Sequence, residues 1–428
     1  MSDLTVDILP ELEAYRLPDF DLGADFIYPN YAGRSILNIP SSVCQLLDVP
    51  GIGAQPLTPA TLEPLGEGVR RVVLILMDAL ALHRLQRWVA EGEAPVWQKL
   101  EKDGLLTGLT SISPSTTAAA MTTLWSGRSP AEHGVLGYEM WLREYGVVAN
   151  MIKHAPISFR SDSDSLQKAG FRAEQMHNFP LLGPHLREHG VKPYSFQHYS
   201  IVGSGLSRSF LHDVEVRAFG TPAEMWVSAR QMLEEQLDER IYLWSYWGAV
   251  DGLSHIYGPD DERVRAEFAA FSAAFERNFL ERLSPQARRD TVVILTADHG
   301  QITTRKDPHY ELASHPDLAR RLHINPTGEN RLMYLFVRPG QVEAVCEYFE
   351  HKWPNQFTVF DPEYALESGL FGPGEAHPRA RERLGDLIVA ARGDAYLWWS
   401  TEENPLIGRH GGLHPEEMLV PFLAARLD

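Results

Sequence analysis

Two cysteines in 428 residues, Cys44 and Cys346, are too few and too far apart for a disulfide framework. Neither belongs to a Cys-x-x-Cys pair, so two free thiols are expected. Long apolar runs are also missing. Val72-Val73-Leu74-Ile75-Leu76 is strand length, against the roughly 18 residues of a membrane span. The opening residues, MSDLTVDILPELEAYRLPDF, carry no basic region followed by an apolar one, and a cytoplasmic protein is expected. Positive charge is scarce: 39 Lys+Arg against 57 Asp+Glu give a formal net charge of −18. No basic block or stripe occurs, which argues against nucleic-acid coating and against binding to anionic membrane. An acidic protein can still take an anionic substrate where metal ions supply the local positive charge.

The chain is 44% apolar, enough for a sizeable core. Its length exceeds what one core usually serves, so one large domain with insertions or two domains is expected. Residues 1–65 are rich in Pro, Tyr and Leu without clear periodicity. They read as an irregular arm on a main domain over 66–428, with a short helix near 41–47. Apolar and β-branched runs predict strands at 71–77, 105–112, 240–250, 291–297, 331–337 and 386–391. Helical spacing predicts helices at 82–101, 222–237, 260–283 and 341–349, and an alanine-rich helix that stops near Gly127. Residues about 138–215 hold many aromatics and histidines but no long periodic run, and read as a cap inserted over the site. Alternating strands and helices imply an α/β fold with a largely parallel sheet.

Three of the expected strands end in Asp: Asp78, Asp251 and Asp298. A single Asp there is usually a turn or cap residue. Their neighbours change that weighting. Asp298-His299-Gly300 follows a strand directly, and at a strand's C-terminal end both side chains can turn toward one site above the sheet. Gly300 is expected to take a backbone conformation that a residue with Cβ resists. Asp251 and His255 stand four apart, sharing one face of a helical turn. His410, in Gly408-Arg409-His410-Gly411-Gly412, is flanked by glycines that allow close backbone approach. Its rival, His414, precedes Pro415 and reads as a turn residue. Three Asp and three His suffice for two metals with open positions.

Ser113-Pro114-Ser115-Thr116-Thr117 precedes the alanine run and carries a helix-start signal. The same geometry offers free backbone N–H groups to a phosphate-like anion. A hydroxyl placed there beside a divalent metal can attack phosphorus.

VVLILMDAL, SPSTTAAAMTTLWSGRSPAEHGVLGY, WGAVDGLSHIYGP, ILTADHGQ and GRHGGLHPEEMLVPF, in this order, resemble the alkaline phosphatase superfamily. The nearer likeness is to its type I phosphodiesterase/nucleotide pyrophosphatase branch, over about residues 70–255 apart from the cap, then 290–300 and 408–422. The resemblance implies an alkaline phosphatase-like core and a two-metal hydrolase of phosphate esters, with zinc favoured over manganese. It places Asp78, Thr117, Asp298 and His299 on one metal. Asp251, His255 and His410 take the other, which activates the hydrolytic water. Thr117 becomes the transiently phosphorylated nucleophile, chosen over Thr116 because the family pattern puts the nucleophile three residues after the Pro, here Pro114, and ten before the Gly, here Gly127. The substrate implied is a small phosphate ester, with a nucleotide as one candidate. One position departs from the branch: where an Asn normally contacts a phosphoryl oxygen, Tyr138 follows Gly137. Tyr138 is therefore the candidate substrate contact, with one donor and a different reach. The alternatives are a phosphonate hydrolase or phosphomutase of the same superfamily, or a binding module that keeps the fold.

Other residues carry simpler readings. His133 fixes its loop. Trp244, Tyr246 and Trp247 belong to a buried strand. His177, His185, His189 and His198 match no standard metal spacing. The pairs Arg143–Glu144 and Arg305–Lys306 are solvated charge.

Overall fold

Seven strands form the central sheet, in the spatial order Leu105–Thr110, Leu419–Arg426, Thr291–Thr296, Arg71–Met77, Arg240–Trp247, Val191–His198 and Glu215–Phe219. The computed structural model describes residues 3–158 and 162–427. Leu419–Arg426 runs antiparallel to both neighbours, and the other pairings are parallel. Arg71–Met77 and Thr291–Thr296 are buried along their whole length. Their continuous Val/Ile/Leu content follows, because a strand covered on both faces has no solvent side to make polar. Helices flank the sheet, giving the expected α/β fold.

The helix expected over 82–101 is two helices, Leu82–Ala90 and Pro95–Asp103. Gly92 takes φ 82 between them. Pro95 opens the second, where its missing N–H costs nothing.

A second sheet of seven strands is antiparallel throughout: Phe357–Phe360, Leu387–Ala391, Leu332–Leu335, Thr327–Glu329, Glu139–Leu142, Val147–Asn150 and Ala155–Pro156. Its side chains alternate between two cores. Leu332, Tyr334, Ile388 and Ala390 join the main core, while Met333, Leu335, Val389 and Ala391 pack in a second one with Trp353. The stretch 138–215, expected as a single cap, is divided between the two sheets. Its first part pairs with 327–329, and Val191–His198 and Glu215–Phe219 complete the central sheet. Polar residues disguised the first of these strands, since Ser195 and Gln197 are buried within it.

Residues within 3–65 contribute to the main core. Leu12, Phe20, Phe26 and Tyr28 are buried in the main core, and Ile27 N–H donates to Leu413 O at 2.8 Å. Cys44 and Cys346 are both free thiols. Among the described residues no helix is long and apolar enough to cross a membrane.

Candidate active site

Parallel strands deliver their C-terminal ends to one edge of the sheet, where open α/β folds bind ligands. Asp78 follows the Arg71–Met77 strand and is 1% exposed; Asp298 follows Thr291–Thr296 and is fully buried. Gly300 is needed there for a different reason from the one expected. Its φ is not positive; a Cβ would instead lie 2.0 Å from Glu416 O. The Asp-His turn is pressed against the segment before the last strand, and Gly300 N–H donates to Glu417 O at 2.8 Å.

Thr117 is the first residue of the Thr117–Ser126 helix, with Thr116 as N-cap and Gly127 in the left-handed conformation at the far end. Thr117 Oγ1 lies 3.2 Å from His299 Nε2. On the other side, Asp251 and His255 sit one turn apart on the Ala249–Tyr257 helix, His255 Nε2 being 3.3 Å from Asp251 Oδ1. His410 Nε2 is 3.8 Å from the same oxygen, and the His299 and His410 rings stack at 3.8 Å.

All three histidines are oriented alike. Nδ1 of His299 donates to Gly300 O (2.9 Å), Nδ1 of His255 to Gly408 O (2.8 Å) and Nδ1 of His410 to Ser115 O (3.0 Å). A carbonyl oxygen only accepts, so each Nδ1 carries the proton and each Nε2 presents a lone pair to the site. A bond from the far ring nitrogen to a backbone carbonyl in this way fixes the tautomer that can bind a metal. Burial, then His299 and His255, hold the His410 pKa well below its usual value and keep that ring neutral.

The carboxylates complete the case for cations. Among the described residues, Asp78 Oδ1 and Asp298 Oδ2 are buried and have no hydrogen-bond partner. Burial, then the neighbouring Asp298 and Asp251, push the Asp78 pKa well up, and burial is also the main cause of the rise at Asp298. Two buried carboxylates cannot share such a space in ionised form without a compensating positive charge. Ligand atoms of Asp78, Asp298 and His299 lie within 4.8 Å of one another, as do those of Asp251, His299 and His410. The residues present thus fit two divalent cations, with His299 between the two groups and His255 joined to the second through Asp251.

A cavity of about 480 Å³ opens over Thr117, Asp251, His255 and His410. Tyr138 and Glu329 line it too. Glu329 Oε1 accepts the Tyr138 amide at 2.9 Å. Burial pushes the Glu329 carboxyl up to about 8, against hydrogen bonds from Thr116 and the Tyr138 amide.

Sequence reasoning missed two contacts. Tyr246, read only as a core residue, donates its hydroxyl to Asp78 Oδ2. Its place opposite Leu76 in the parallel register, two residues before Asp78, brings it there, and no signal in the sequence gives that register. Gln301, directly after Asp298-His299-Gly300, donates Nε2 to Asp251 Oδ1 at 3.0 Å and links the two groups.

Among the described residues, the remaining candidates belong to neither group of cation donors. His414 caps the Pro415–Met418 helix, and His133 bonds Thr123 Oγ1 and the Val135 amide, both at 3.0 Å or nearly so. Trp244 and Trp247 are buried. His185 bonds Pro50 O, His189 bonds His185 O and His198 bonds Ser200 Oγ. His177 nitrogens have no partner, and among the described residues no metal-ligand group includes it. Arg143 faces Glu382, Glu144 faces Arg379 and Arg383, and Arg305 and Lys306 are exposed.

The family model for type I phosphodiesterase / nucleotide pyrophosphatase matches residues 72–413. Phosphonoacetate hydrolase from Sinorhizobium meliloti 1021, solved with phosphonoformate, superposes with a TM-score of 0.61 at 15% identity, covering 84% of this chain and 90% of that one. Murine ectonucleotide pyrophosphatase / phosphodiesterase 5 gives a TM-score of 0.58 at 16% identity, over 82% and 87% of the two chains. The human counterpart gives 0.57 at 15% identity over the same shares. No curated protein matches by sequence. With most of its length matched and an alkaline phosphatase-like fold, the chain belongs to the type I phosphodiesterase / nucleotide pyrophosphatase family of metal-dependent phosphoester hydrolases.

Proposed function

We propose that this protein hydrolyses phosphodiesters through a phospho-threonine intermediate on Thr117. The observation that carries the reading is the pair of buried, unpartnered carboxylate oxygens, Asp78 Oδ1 and Asp298 Oδ2, facing His299 Nε2 beside a helix-starting threonine hydroxyl. Asp78, Asp298, His299 and Thr117 would hold one cation, and Asp251, His255 and His410 the other, with zinc favoured over manganese. Bound there, the cations would lower the pKa of the hydroxyl and of a water, and offset charge on the phosphoryl oxygens.

The chain's own residues do the rest. The Thr117–Ser126 helix aims its free N–H groups at the phosphoryl oxygens. Thr117 Oγ forms a bond to phosphorus while the bond to one ester oxygen breaks. The departing alcohol leaves with the proton that the hydroxyl gave up. Water then cleaves the Oγ–P bond, restores the hydroxyl and releases a phosphate monoester. Tyr138, on the cavity wall in place of the branch's Asn, contacts the substrate through its phenol. A nucleotide is one candidate substrate; an inactive form of the murine relative was solved with AMP.

The test is metal analysis joined to a substrate panel: an aryl phosphodiester, an aryl phosphomonoester, a dinucleotide and phosphonoacetate. The expected result is two cations per chain and fastest turnover of the diesters. Cleavage of phosphonoacetate alone would replace this reading by phosphonate hydrolysis. Two bound metals with no turnover would make the protein a binding module.

A further inference from the structure

Gln301 is a poor choice for its place by packing rules alone. Its side chain is fully buried, and among the described residues its Oε1 has no hydrogen-bond partner. That oxygen is pressed toward Gly408, where a Cβ would lie 2.7 Å from it. A Met of similar length would fill the space without leaving a buried carbonyl unpaired.

The other end of the amide explains the residue. Nε2 donates to Asp251 Oδ1 at 3.0 Å. A carboxylate only accepts, so the N–H end must face it. The same Oδ1 stands 3.3 Å from His255 Nε2 and 3.8 Å from His410 Nε2. Both nitrogens present lone pairs, because each Nδ1 is committed to a carbonyl. The amide thus holds one chosen oxygen against two imidazoles. Asp251 needs such a hold more than its counterparts. Its side chain is 18% exposed and lines the cavity, whereas Asp78 and Asp298 are enclosed.

Gln301 is itself held from behind. Its carbonyl accepts Arg84 Nη1 at 2.6 Å. Arg84 is buried and also donates to Asp260 Oδ1 at 3.2 Å and to Glu416 Oε2 at 2.5 Å. Ile302–Thr303, directly after Gln301, pairs with Gly408–Arg409, directly before His410. One short ribbon therefore carries the amide that fixes Asp251 and the ring that faces it.

We propose that Gln301 is a positioning residue for one of the two cations. Through Asp251 it sets the affinity of the Asp251, His255 and His410 group, and it leaves the Asp78, Asp298 and His299 group unaffected. This rests on the two-cation reading above.

The experiment titrates zinc into the metal-free full chain by calorimetry. Gln301→Met keeps the length and removes the N–H. It should weaken one of the two zinc-binding events by about 10–100-fold and spare the other. Two backgrounds identify which: Asp78→Asn leaves the Asp251 group intact, and Asp251→Asn leaves the Asp78 group intact. The loss should appear in the first background and stay below about twofold in the second, where the partner is already gone. Gln301→Asn, one methylene too short to reach Asp251, should behave like Gln301→Met, so the reading does not depend on the fold accepting Met. Saturating zinc should return most of the aryl diester turnover to either variant. Unchanged zinc affinity, or equal losses at both groups, overturns the positioning role and leaves the two-cation reading standing. Turnover that stays low at saturating zinc overturns it as well. A wild-type chain that binds no zinc overturns both.

Discussion

Thr117 Oγ1 and His299 Nε2 face each other at 3.2 Å, and the other nitrogen of that ring is committed to Gly300 O. The imidazole can therefore meet the hydroxyl only through a lone pair, the form that a shared cation needs. Thr117→Ala removes the hydroxyl and keeps Asp78, Asp251 and Asp298. Turnover of an aryl diester should fall by roughly three orders of magnitude or more, with metal content largely retained. Thr117→Ser should restore part of the activity. Near-normal rates in Thr117→Ala would move the nucleophile elsewhere.

Tyr246 supplies the hydroxyl bonded to Asp78 Oδ2, while Asp78 Oδ1 has no partner. Tyr246→Phe keeps the ring and frees the carboxylate to turn. Metal affinity should drop by about 10–100-fold, read as the free metal concentration that gives half-maximal activity. Saturating metal should restore most of the rate; an unchanged metal requirement would make the bond incidental.

Glu417 joins several loops at once. Its carboxylate lies 2.9 Å from Arg331 Nε, with both side chains fully buried, and accepts Gly412 N–H at 2.8 Å and His414 N–H at 3.2 Å. Its carbonyl takes Gly300 N–H. Glu417→Ala leaves a buried guanidinium uncompensated, and should lower the unfolding free energy by about 3–5 kcal/mol. Chemical denaturation with metal present measures it. A change below about 1 kcal/mol would mean that the pair is solvated in solution.

Glu329 gives a pH signature. Burial raises its carboxyl from 4.5 to about 8, so the folded chain keeps a proton that the unfolded chain has released. The stability this contributes is complete below pH 4.5 and is lost as pH rises through about 8. Glu329→Gln cannot titrate. Thermal unfolding across that window should show the wild type losing stability relative to the variant as pH increases. Parallel curves would show that Glu329 ionises normally.

His410 and His414 lie four residues apart and separate cleanly. His410→Ala should lose one of two metals and most activity. His414→Ala removes a helix cap and should lower the melting temperature while both metals remain. Metal analysis of the two purified variants decides; loss of metal from His414→Ala would reverse their roles.

Much of the site was legible because its residues obey local rules. Asp78 and Asp298 end strands, Asp251 and His255 share a helical face, and Thr117 begins a helix. The strand ends, the helical face and the helix start follow from hydrophobic runs and spacing, whereas the choice of Thr117 over Thr116 rests on the family resemblance. Tyr246 and Gln301 were hidden because their partners, Asp78 and Asp251, are 168 and 50 residues away. The antiparallel sheet was hidden for the same reason: Gly328 pairs with Glu139, which no period in the sequence announces. Val191–His198 escaped because a buried strand is normally apolar, whereas this one encloses Ser195 and Gln197.

The Leu419–Arg426 strand has a consequence for how the chain acquires its chemistry. It fills the slot between Leu105–Thr110 and Thr291–Thr296, entering against the direction of both. Until it pairs, both flanking strands have open edges. Ser111 also lacks its bond to Met418 O, and Gly300 lacks its bond to Glu417 O. A nascent chain that has emerged only as far as residue 300 carries Asp78, Thr117, Asp251, His255, Asp298 and His299 on or beside strands that already pair with one another, but it lacks His410 and these two bonds. The edge is therefore complete only once the last strand has docked.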